Sequence, residues 1–371
     1  MINLSQSNRF LPIHVINPRS NREKSLHTGE ELESLITTYG GEIIDRVIQK
    51  RDNPDNATYI GKGKVDEVLE KVKEKNIDVI VLNAVAKPRQ VHALTEILSK
   101  AKPSLQVWDR VDLILHIFDK HATTTTAKLQ IKLARMRYMG PRIYGMGFVL
   151  SRQGGGIGTS GIGETNTELM KRHWRSEVKK VQDELEKLST DKTLQLSRRK
   201  KAGLKTVSLV GYTNAGKSSI FNLLTGEKKL VANALFVTLD SSVGEVYIKE
   251  LQGKVLITDT IGFIRNLPMI LVSAFKSTLM ESLHADILLH IIDASDPEVE
   301  DKIRVVSEIL ESLGRDITQN TLYVFNKMDN VSSEVRKELS SKYDPAVSYF
   351  ISVKTNEGIE ALQKEIANKL I

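Results

Sequence analysis

Eight consecutive residues carry the strongest chemical signal in the sequence, a complete phosphate-binding pattern of the form G-x-x-x-x-G-K-S. An apolar run over 207–210 precedes the pattern and apolar residues at helical spacing follow it, so the sequence predicts the strand, loop and helix that hold a nucleotide. Loop N–H groups would converge on phosphate at the positive end of that helix. We expect Lys217 to bridge phosphate oxygens and Ser218 to bind Mg²⁺. The predicted phosphate loop comprises Gly211, Tyr212, Thr213, Asn214, Ala215, Gly216, Lys217 and Ser218, with Ser219 next to it.

A second pattern, D-x-x-G, follows the apolar run 255–258 and predicts a switch that senses the γ-phosphate. Asp259 can hold Mg²⁺ through a water molecule, and the N–H of Gly262 can meet the γ-phosphate. Upstream, Thr238 can complete the Mg²⁺ shell, whereas Thr225 is too close in sequence to the phosphate loop. With the phosphate-loop lysine, Thr238 and Gly262 are expected to be catalytic. The predicted site also takes in Thr260 and Ile261 from the pattern and Phe236 and Val237 from the upstream segment.

Two later patterns predict that the nucleotide is GTP. An apolar strand over 322–325 precedes N-K-x-D, whose Asp329 can accept hydrogen bonds from both N1–H and the amino group of guanine. Adenine would leave this carboxylate unpaired. A later Ser-Val-Lys sequence fits the last guanine-contacting loop; alanine is common where Val353 stands, so we expect a backbone N–H to make the contact. The predicted base-binding residues are Asn326, Lys327, Asp329, Ser352, Val353 and Lys354.

One position predicts slow hydrolysis in the absence of a partner. Ras-like GTPases usually carry a glutamine after D-x-x-G to orient the attacking water, and this sequence has Phe263 there. An apolar ring cannot orient water by hydrogen bonding, so a partner that supplies or repositions the missing group could raise the rate by about 10³- to 10⁵-fold. A second position, Asn214, matches the place at which some GTPases hold K⁺, which makes K⁺ a candidate ion alongside Mg²⁺.

The positive charge of the chain is concentrated in its middle. Of the net +7, residues 119–205 carry +11, residues 1–118 carry +1 and residues 206–371 carry −5. A solvated helix face is the simplest explanation of these charges. Binding of a polyanion explains such dense clusters better, and we expect that polyanion to be RNA and not DNA. The clustered cations are Lys128, Lys132, Arg135, Arg137 and Arg142, then Lys171, Arg172, Arg175, Lys179 and Lys180, then Arg198, Arg199, Lys200 and Lys201.

Apolar periodicity divides the chain into three predicted domains. The first, 1–118, alternates strand-like and helix-like runs and predicts a small α/β domain. In its first helix, Thr28 and Glu31 fit a capping box at the start, and Gly40 fits the end.

The remaining two domains have different patterns. Residues 119–205 predict a basic α-helical hairpin with coiled-coil-like seams and a flexible glycine-rich loop at about 140–163. Residues 206–371 predict a P-loop GTPase domain, an α/β fold with a mixed sheet. Within it, an antiparallel ribbon is expected to turn at Gln252–Gly253 and to connect the two switches.

Composition restricts the class of protein. The 371 residues are 40% hydrophobic, which supports two or three domains with their own cores. Because the sequence contains no cysteine, disulfides and thiolate metal sites are excluded, and a cytoplasmic location fits. The sequence shows neither an apolar run of transmembrane length nor a signal-peptide pattern, so we expect no membrane contact. We also expect a monomer.

The motifs of the chain resemble, in order, those of the HflX family of GTPases, and the resemblance covers nearly the whole chain. It implies a bacterial-type GTPase that binds the large ribosomal subunit, reaches toward the peptidyl-transferase centre with its helical loop, and splits stalled or idle ribosomes under stress. GTP binding would favour the bound state and hydrolysis would allow release. Beside the GTPase motifs, the resemblance rests on Tyr59-Ile60-Gly61-Lys62-Gly63-Lys64-Val65, Asp109-Arg110-Val111-Asp112-Leu113-Ile114-Leu115, Ala127-Lys128-Leu129-Gln130, Gly163-Glu164-Thr165 and Phe236-Val237-Thr238-Leu239-Asp240.

Departures from the family pattern leave a second function open. Ile162, Asn166 and His173 replace usual family residues near the glycine-rich loop, and Ser241 replaces a common proline. A GTP-regulated large-subunit assembly or anti-association factor would need the same nucleotide site and basic segment without splitting ribosomes. A tRNA-modification GTPase is a weaker alternative, because such enzymes generally carry cofactor-binding or dimerisation regions that this sequence does not show.

Overall fold

The chain divides into two compact units, and each unit contains a β-sheet. The computed structural model describes residues 8–19, 22–153, 160–228, 235–236, 241–249, 251–265 and 267–371. Among these residues, unit 1 comprises those within Met1–Lys120 and Ile131–Asp183, and unit 2 those within His121–Gln130 and Glu184–Ile371. The contacts thus assign the middle segment partly to each unit. The division into domains 1–118, 119–205 and 206–371 stays a prediction.

Unit 1 contains a parallel sheet with helices between its strands, which agrees with the small α/β fold predicted for this region. Its elements are β1 (Arg9–Ile16), α1 (Arg22–Tyr39), β2 (Glu42–Ile43), β3 (Val47–Lys50), α2 (Lys62–Glu74), β4 (Val79–Leu82), α3 (Pro88–Leu98), β5 (Gln106–Asp109) and α4 (Arg110–His121). The strand order is β2-β1-β4-β5, with β3 also paired to β1, and all these pairings are parallel. All four residues of β4 are buried, as expected for a strand inside a parallel sheet.

The first helix differs from its prediction at the start and agrees at the end. Because α1 begins at Arg22, Thr28 lies inside the helix and the predicted capping box is wrong. Glu31 instead pairs with the buried guanidinium of Arg110, 79 residues away, a partner that local spacing cannot reveal. Gly40 follows the helix with a φ of +89°, as a glycine stop requires.

Two long helices form most of the middle segment, α5 (Thr125–Gln153) and α6 (Ser160–Lys201). Within unit 1 they are joined by a hydrogen bond from the indole N–H of Trp174 to the carbonyl oxygen of Met136, at 3.1 Å. The helices extend further into the glycine-rich segment than the loop predicted at about 140–163; residues 154–159 of that loop lie outside the described residues. A helical glycine costs only about 1 kcal/mol relative to alanine, which packing can offset.

Unit 2 contains a six-stranded mixed sheet, which confirms the predicted fold class. Its elements after α6 are β6 (Lys205–Gly211), α7 (Lys217–Thr225), β7 (Ser242–Ile248), β8 (Gly253–Asp259), α8 (Met269–Ala274), α9 (Lys276–Leu283), β9 (Ile287–Asp293), α10 (Val299–Ser312), β10 (Thr321–Asn326), a 3₁₀ turn (Met328–Asn330), α11 (Ser333–Lys342), β11 (Ser348–Phe350) and α12 (Ile359–Leu370). The strand order is β11-β10-β9-β6-β8-β7. All pairings are parallel except that of β7 with β8, the predicted antiparallel ribbon.

This topology places the nucleotide motifs together. The phosphate loop follows β6, D-x-x-G begins at the end of β8, and N-K-x-D begins at the end of β10. These three strands are parallel, so their carboxyl ends lie along one edge of the sheet, the edge at which open α/β sheets bind ligands. A membrane-spanning role finds no support in the described part of the chain, where every helix is too short or too polar to cross a bilayer.

Candidate nucleotide-binding site

Two glycines of the phosphate loop occupy positions that other residues could not. Gly211 has a φ of +152°, and a Cβ there would lie 2.2 Å from the carbonyl oxygen of Ile291. Gly216 has a φ of +97°, and its Cβ would lie 2.2 Å from the side-chain nitrogen of Asn326. Both distances are far below van der Waals contact. The loop is therefore shaped by close approach of β9 and β10, and it leads into the N-terminus of α7, a favourable position for phosphate.

Lys217 is buried against the loop that precedes it. Its Nζ donates to the carbonyl oxygens of Gly211, at 3.1 Å, and Tyr212, at 2.8 Å. The same Nζ lies 3.0 Å from the place that a Cβ on Gly262 would occupy. The ammonium group thus lies between the phosphate loop and the D-x-x-G pattern, where a lysine can bridge the β- and γ-phosphates.

The residues predicted to bind Mg²⁺ are partly in contact. The hydroxyl of Ser218 donates to Oδ2 of Asp259 at 2.7 Å. A hydroxyl and a carboxylate are oxygen ligands of the kind that Mg²⁺ takes together with substrate phosphates, so the residues present fit the ion. Bound there, Mg²⁺ would neutralise phosphate charge. Among the described residues, groups of three or more His, Cys, Asp or Glu side chains that could hold a metal by themselves are absent.

The D-x-x-G segment pairs with the phosphate loop through its backbone. The N–H of Thr213 donates to the carbonyl oxygen of Phe263 at 2.8 Å, and the N–H of Phe263 donates to that of Gly211 at 3.2 Å. Thr260 is fixed by a hydrogen bond from its hydroxyl to the carbonyl oxygen of Leu209. The ring of Phe263 is fully buried, so it packs inside the domain.

Asn326 connects the phosphate side of the site to the base side. Its Nδ2 donates to the carbonyl oxygen of Ala215 at 3.0 Å, and its Oδ1 accepts from the N–H of Val353 at 3.3 Å. One buried amide thereby sets the spacing between the phosphate loop and the loop after β11. Lys327 follows with a φ of +65°, and its Nζ pairs with Asp293 at 2.6 Å.

The predicted guanine-binding carboxylate is oriented by the Ser-Val-Lys sequence. Oδ1 of Asp329 accepts from the buried hydroxyl of Ser352 at 2.7 Å, and its Oδ2 lies 3.6 Å from Nζ of Lys354. The hydrogen bond from Ser352 lowers the pKa of Asp329 below its usual range. The carboxylate therefore stays ionised at neutral pH, ready to accept both donors on the guanine edge.

The remaining predicted site residues lie at the margin of the site or outside the described residues. Phe236 is buried with a φ of +61°, whereas Val237 and Thr238 lie outside the described residues. Asn214, the candidate K⁺ ligand, is exposed in the phosphate loop with a φ of +64°. Ser219 is half-buried in the first turn of α7, and Ile261 is buried. A role for K⁺ stays a prediction.

Two side chains beside the phosphate loop have contacts that the sequence did not predict: Tyr212 was predicted only as a loop residue, and Arg265 was not predicted at all. The hydroxyl of Tyr212 accepts from the backbone N–H of Arg265 at 2.8 Å. The guanidinium of Arg265 is buried and donates to Glu298 at 2.8 Å. Loop patterns define backbone roles at these positions and carry no signal for the side chains.

The predicted cationic surface needs one correction. Arg142 is not part of an exposed cluster: it is buried in unit 1 and pairs with Asp109 and Asp112, each at 2.7 Å. Burial of a guanidinium has a low cost only where carboxylates of this kind pair with it. Both acidic residues lie some 30 residues away in the sequence. Tyr138, one helical turn earlier, also bonds to Asp109.

Other cations of the middle segment are exposed. On α6, Arg172, Arg175 and Lys179 are spaced three and four apart, which places them along one face of the helix, and all three are exposed. We call these three residues the α6 cationic row. Further exposed cations are Lys128, Lys132, Arg198, Lys200 and Lys201.

Family models match most of the chain. Residues 27–119 match a family described as "GTP-binding GTPase N-terminal", residues 121–199 match "GTP-binding GTPase Middle Region", and residues 206–327 match "50S ribosome-binding GTPase". The third match contains the phosphate loop, D-x-x-G and the start of N-K-x-D.

Among solved structures, the chain resembles the crystal structure of SsGBP in complex with GDP. The TM-score is 0.52 at 23% identity, with 98% of each chain covered, and this likeness shows the fold alone.

Curated relatives are similar over most of their length. GTPase HflX of Caldanaerobacter subterraneus subsp. tengcongensis is 40% identical over 343 residues, which cover 92% of this chain and 77% of the relative. GTPase HflX of Escherichia coli is 35% identical over 350 residues, covering 94% and 80%. That of Methanocaldococcus jannaschii is 33% identical, covering 92% and 82%. The chain belongs to the HflX family of GTPases, and its substrate is GTP.

Proposed function

We propose that this GTPase binds the large ribosomal subunit through its RNA and dissociates stalled or idle ribosomes under stress. GTP favours the bound state and hydrolysis allows release. The protein acts in the cytoplasm and spends part of its time on ribosomes. Each step requires a nucleotide site that distinguishes GTP from GDP and a surface that holds RNA.

The proposal rests on the observation that the α6 cationic row and a guanine nucleotide site occur in the same chain. Three exposed cations on one helix face can neutralise consecutive phosphates of folded RNA, and the surrounding segment 119–205 has a net charge of +11. Ribosomal RNA offers dense phosphate of this kind. The name of the matched family, "50S ribosome-binding GTPase", supports the large subunit as its source.

Residues of the nucleotide site have distinct roles in the proposed cycle. Lys217 binds the β- and γ-phosphates, and the N–H of Gly262 binds the γ-phosphate that only GTP has. Ser218 and Thr238 would hold Mg²⁺, and Asp259 would do so through a water molecule. Because the side chain of Phe263 is fully buried and apolar, the attacking water lacks an orienting side chain at this position, and intrinsic hydrolysis is slow until the ribosome supplies or repositions a group.

Sedimentation of intact ribosomes tests the splitting step. With the protein and a non-hydrolysable GTP analogue, we expect ribosomes to separate into subunits and the protein to sediment with the large one; with GDP, ribosomes should stay intact. A Lys217→Ala variant serves as the control that cannot use the analogue. Intact ribosomes with bound protein would instead identify an assembly or anti-association factor. Failure of the protein to sediment with either ribosomes or large subunits would contradict both functions.

A further inference from the structure

We propose that Arg265 and the phenol of Tyr212 are positioning residues for recognition of the γ-phosphate. They hold the end of the D-x-x-G segment against the phosphate loop, so that the N–H of Gly262 stays beside Lys217. The inference concerns the GTPase reaction alone and does not depend on a ribosomal partner.

Tyr212 joins the two segments through both its backbone and its side chain. Its backbone forms a parallel bridge with Phe263, and its buried hydroxyl accepts from the N–H of Arg265 at 2.8 Å. The ring is also fixed, because Nζ of Lys302 lies 4.8 Å from its centroid. The phenol therefore reaches past Phe263 and bonds to the residue two positions beyond it, closing the segment onto the loop.

Arg265 fixes the same segment to α10. Its side chain is only 9% exposed, its Nη1 donates to Oε1 of Glu298 at 2.8 Å, and its Nη2 lies 3.7 Å from Oδ2 of Asp301. Glu298 is the N-cap residue of α10 and Asp301 lies in its first turn. A buried guanidinium paired with carboxylates is costly to break, so this contact holds the backbone of Arg265 in one place.

Gly262 lies three residues before Arg265, between this contact and β8. The phosphate loop lies close beside it: a Cβ on Gly262 would lie 2.7 Å from Cγ2 of Thr213 and 3.0 Å from Nζ of Lys217. Displacement away from the loop is opposed by the Tyr212 and Arg265 contacts. Since GDP has no γ-phosphate to meet the N–H of Gly262, these contacts should strengthen GTP binding more than GDP binding.

The test compares affinities for a non-hydrolysable GTP analogue and for GDP, measured by fluorescence titration of the full-length protein. Tyr212→Phe removes one oxygen and should weaken analogue binding by about 2- to 12-fold, the range for one neutral hydrogen bond. Arg265→Ala should weaken it by about tenfold or more, as expected for a charged contact. Arg265→Lys, which keeps a cation beside Glu298, should recover part of the loss. GDP affinity should fall less than analogue affinity in all three variants.

Tyr323→Phe is the matched control, because it removes a half-buried phenol from β10 in the same unit and should change neither affinity. Equal losses for GDP and the analogue would overturn the inference, since they would show a general defect of the loop. Unchanged analogue binding in Tyr212→Phe and Arg265→Ala would overturn it too. If Arg265→Ala does not fold, Tyr212→Phe decides the outcome alone.

Discussion

At the scale of residues, the predicted recognition of guanine rests on one carboxylate that the fold holds in a fixed orientation. Asp329 follows β10, and the hydroxyl of Ser352 from the loop after β11 fixes one of its oxygens at 2.7 Å. An ionised carboxylate accepts from both N1–H and the amino group of guanine, whereas the adenine edge offers no such pair of donors. Selectivity therefore comes from the cost of an unpaired carboxylate as much as from the bonds formed.

Asp329→Asn should reverse the preference for the base. An amide can donate to the 2-oxo group of xanthine but repels the amino group of guanine, so affinity for GTP should fall by about tenfold or more while affinity for xanthosine triphosphate rises. Competition binding with the two nucleotides measures the change. Asp316→Asn, in the exposed loop before β10, is the control. A retained preference for GTP over xanthosine triphosphate would contradict the assignment.

Residues of the nucleotide site were easier to predict from sequence than their neighbours. The phosphate loop and N-K-x-D were predictable because their glycines and polar residues act through backbone geometry that recurs with the pattern. Arg142 was misassigned, because one cation among many gives no sign of a buried partner. Arg265 was missed, and Tyr212 was predicted only as a member of the phosphate loop, because the partners of both side chains depend on tertiary contacts.

At the scale of elements, a buried polar network fixes α5 to the sheet of unit 1. Tyr138 and Arg142 are one turn apart and both reach Asp109 at the end of β5, while Arg142 also donates to Asp112 in the first turn of α4. The guanidinium carbon lies 4.2 Å from the centroid of the Tyr138 ring. Their spacing of four residues places Tyr138 and Arg142 on the same face of a helix. Only the fold shows which acidic residues they contact.

Arg142→Ala should destabilise the protein strongly. Removal of the guanidinium leaves two carboxylates without their shared partner in a buried place, and we expect the free energy of unfolding to fall by roughly 3–5 kcal/mol. The control is Arg135→Ala on the same helix, whose half-exposed pair with Asp119 is 3.6 Å long and should contribute less than about 1 kcal/mol. Urea denaturation followed by circular dichroism measures both. Equal, small losses would show that the network is not stabilising.

The same network predicts a dependence on pH. Burial, and then the charge of Asp112, raises the pKa of Asp109 from 3.8 to about 6. The folded protein therefore binds this proton more tightly than the unfolded chain does. The stability from this group is present below about pH 4 and is lost as the pH rises through about 6. Relative to Asp109→Asn, the wild type should lose unfolding free energy between pH 4 and 6; a relative gain over that range would contradict the raised pKa.

At the scale of the whole molecule, charge is separated along the chain. Residues 119–205 carry +11, whereas residues 206–371, which contain the nucleotide site, carry −5. A polyanion such as RNA is attracted by the first segment and repelled by the second. In the proposed function, binding of RNA and binding of GTP can therefore depend on separate residues.

Charge reversal on the α6 cationic row should weaken binding to large ribosomal subunits and flatten its salt dependence. In Arg172→Glu/Arg175→Glu, each lost phosphate contact should reduce the slope of log affinity against log salt by about 1. Lys337→Glu/Lys369→Glu applies the same charge change to exposed positions of α11 and α12 and should leave the slope near that of the wild type. Identical slopes for the two double variants would contradict a role for the row.

The most direct test of a ribosome-associated GTPase is the rate of GTP hydrolysis by the purified protein, alone and with purified large ribosomal subunits. We expect slow hydrolysis alone, because Phe263 cannot orient water, and a rate at least tenfold higher with large subunits, toward the range of about 10³- to 10⁵-fold seen when a partner supplies the missing group. An unchanged rate at saturating large subunits would contradict the proposed function and direct the search to other RNA partners.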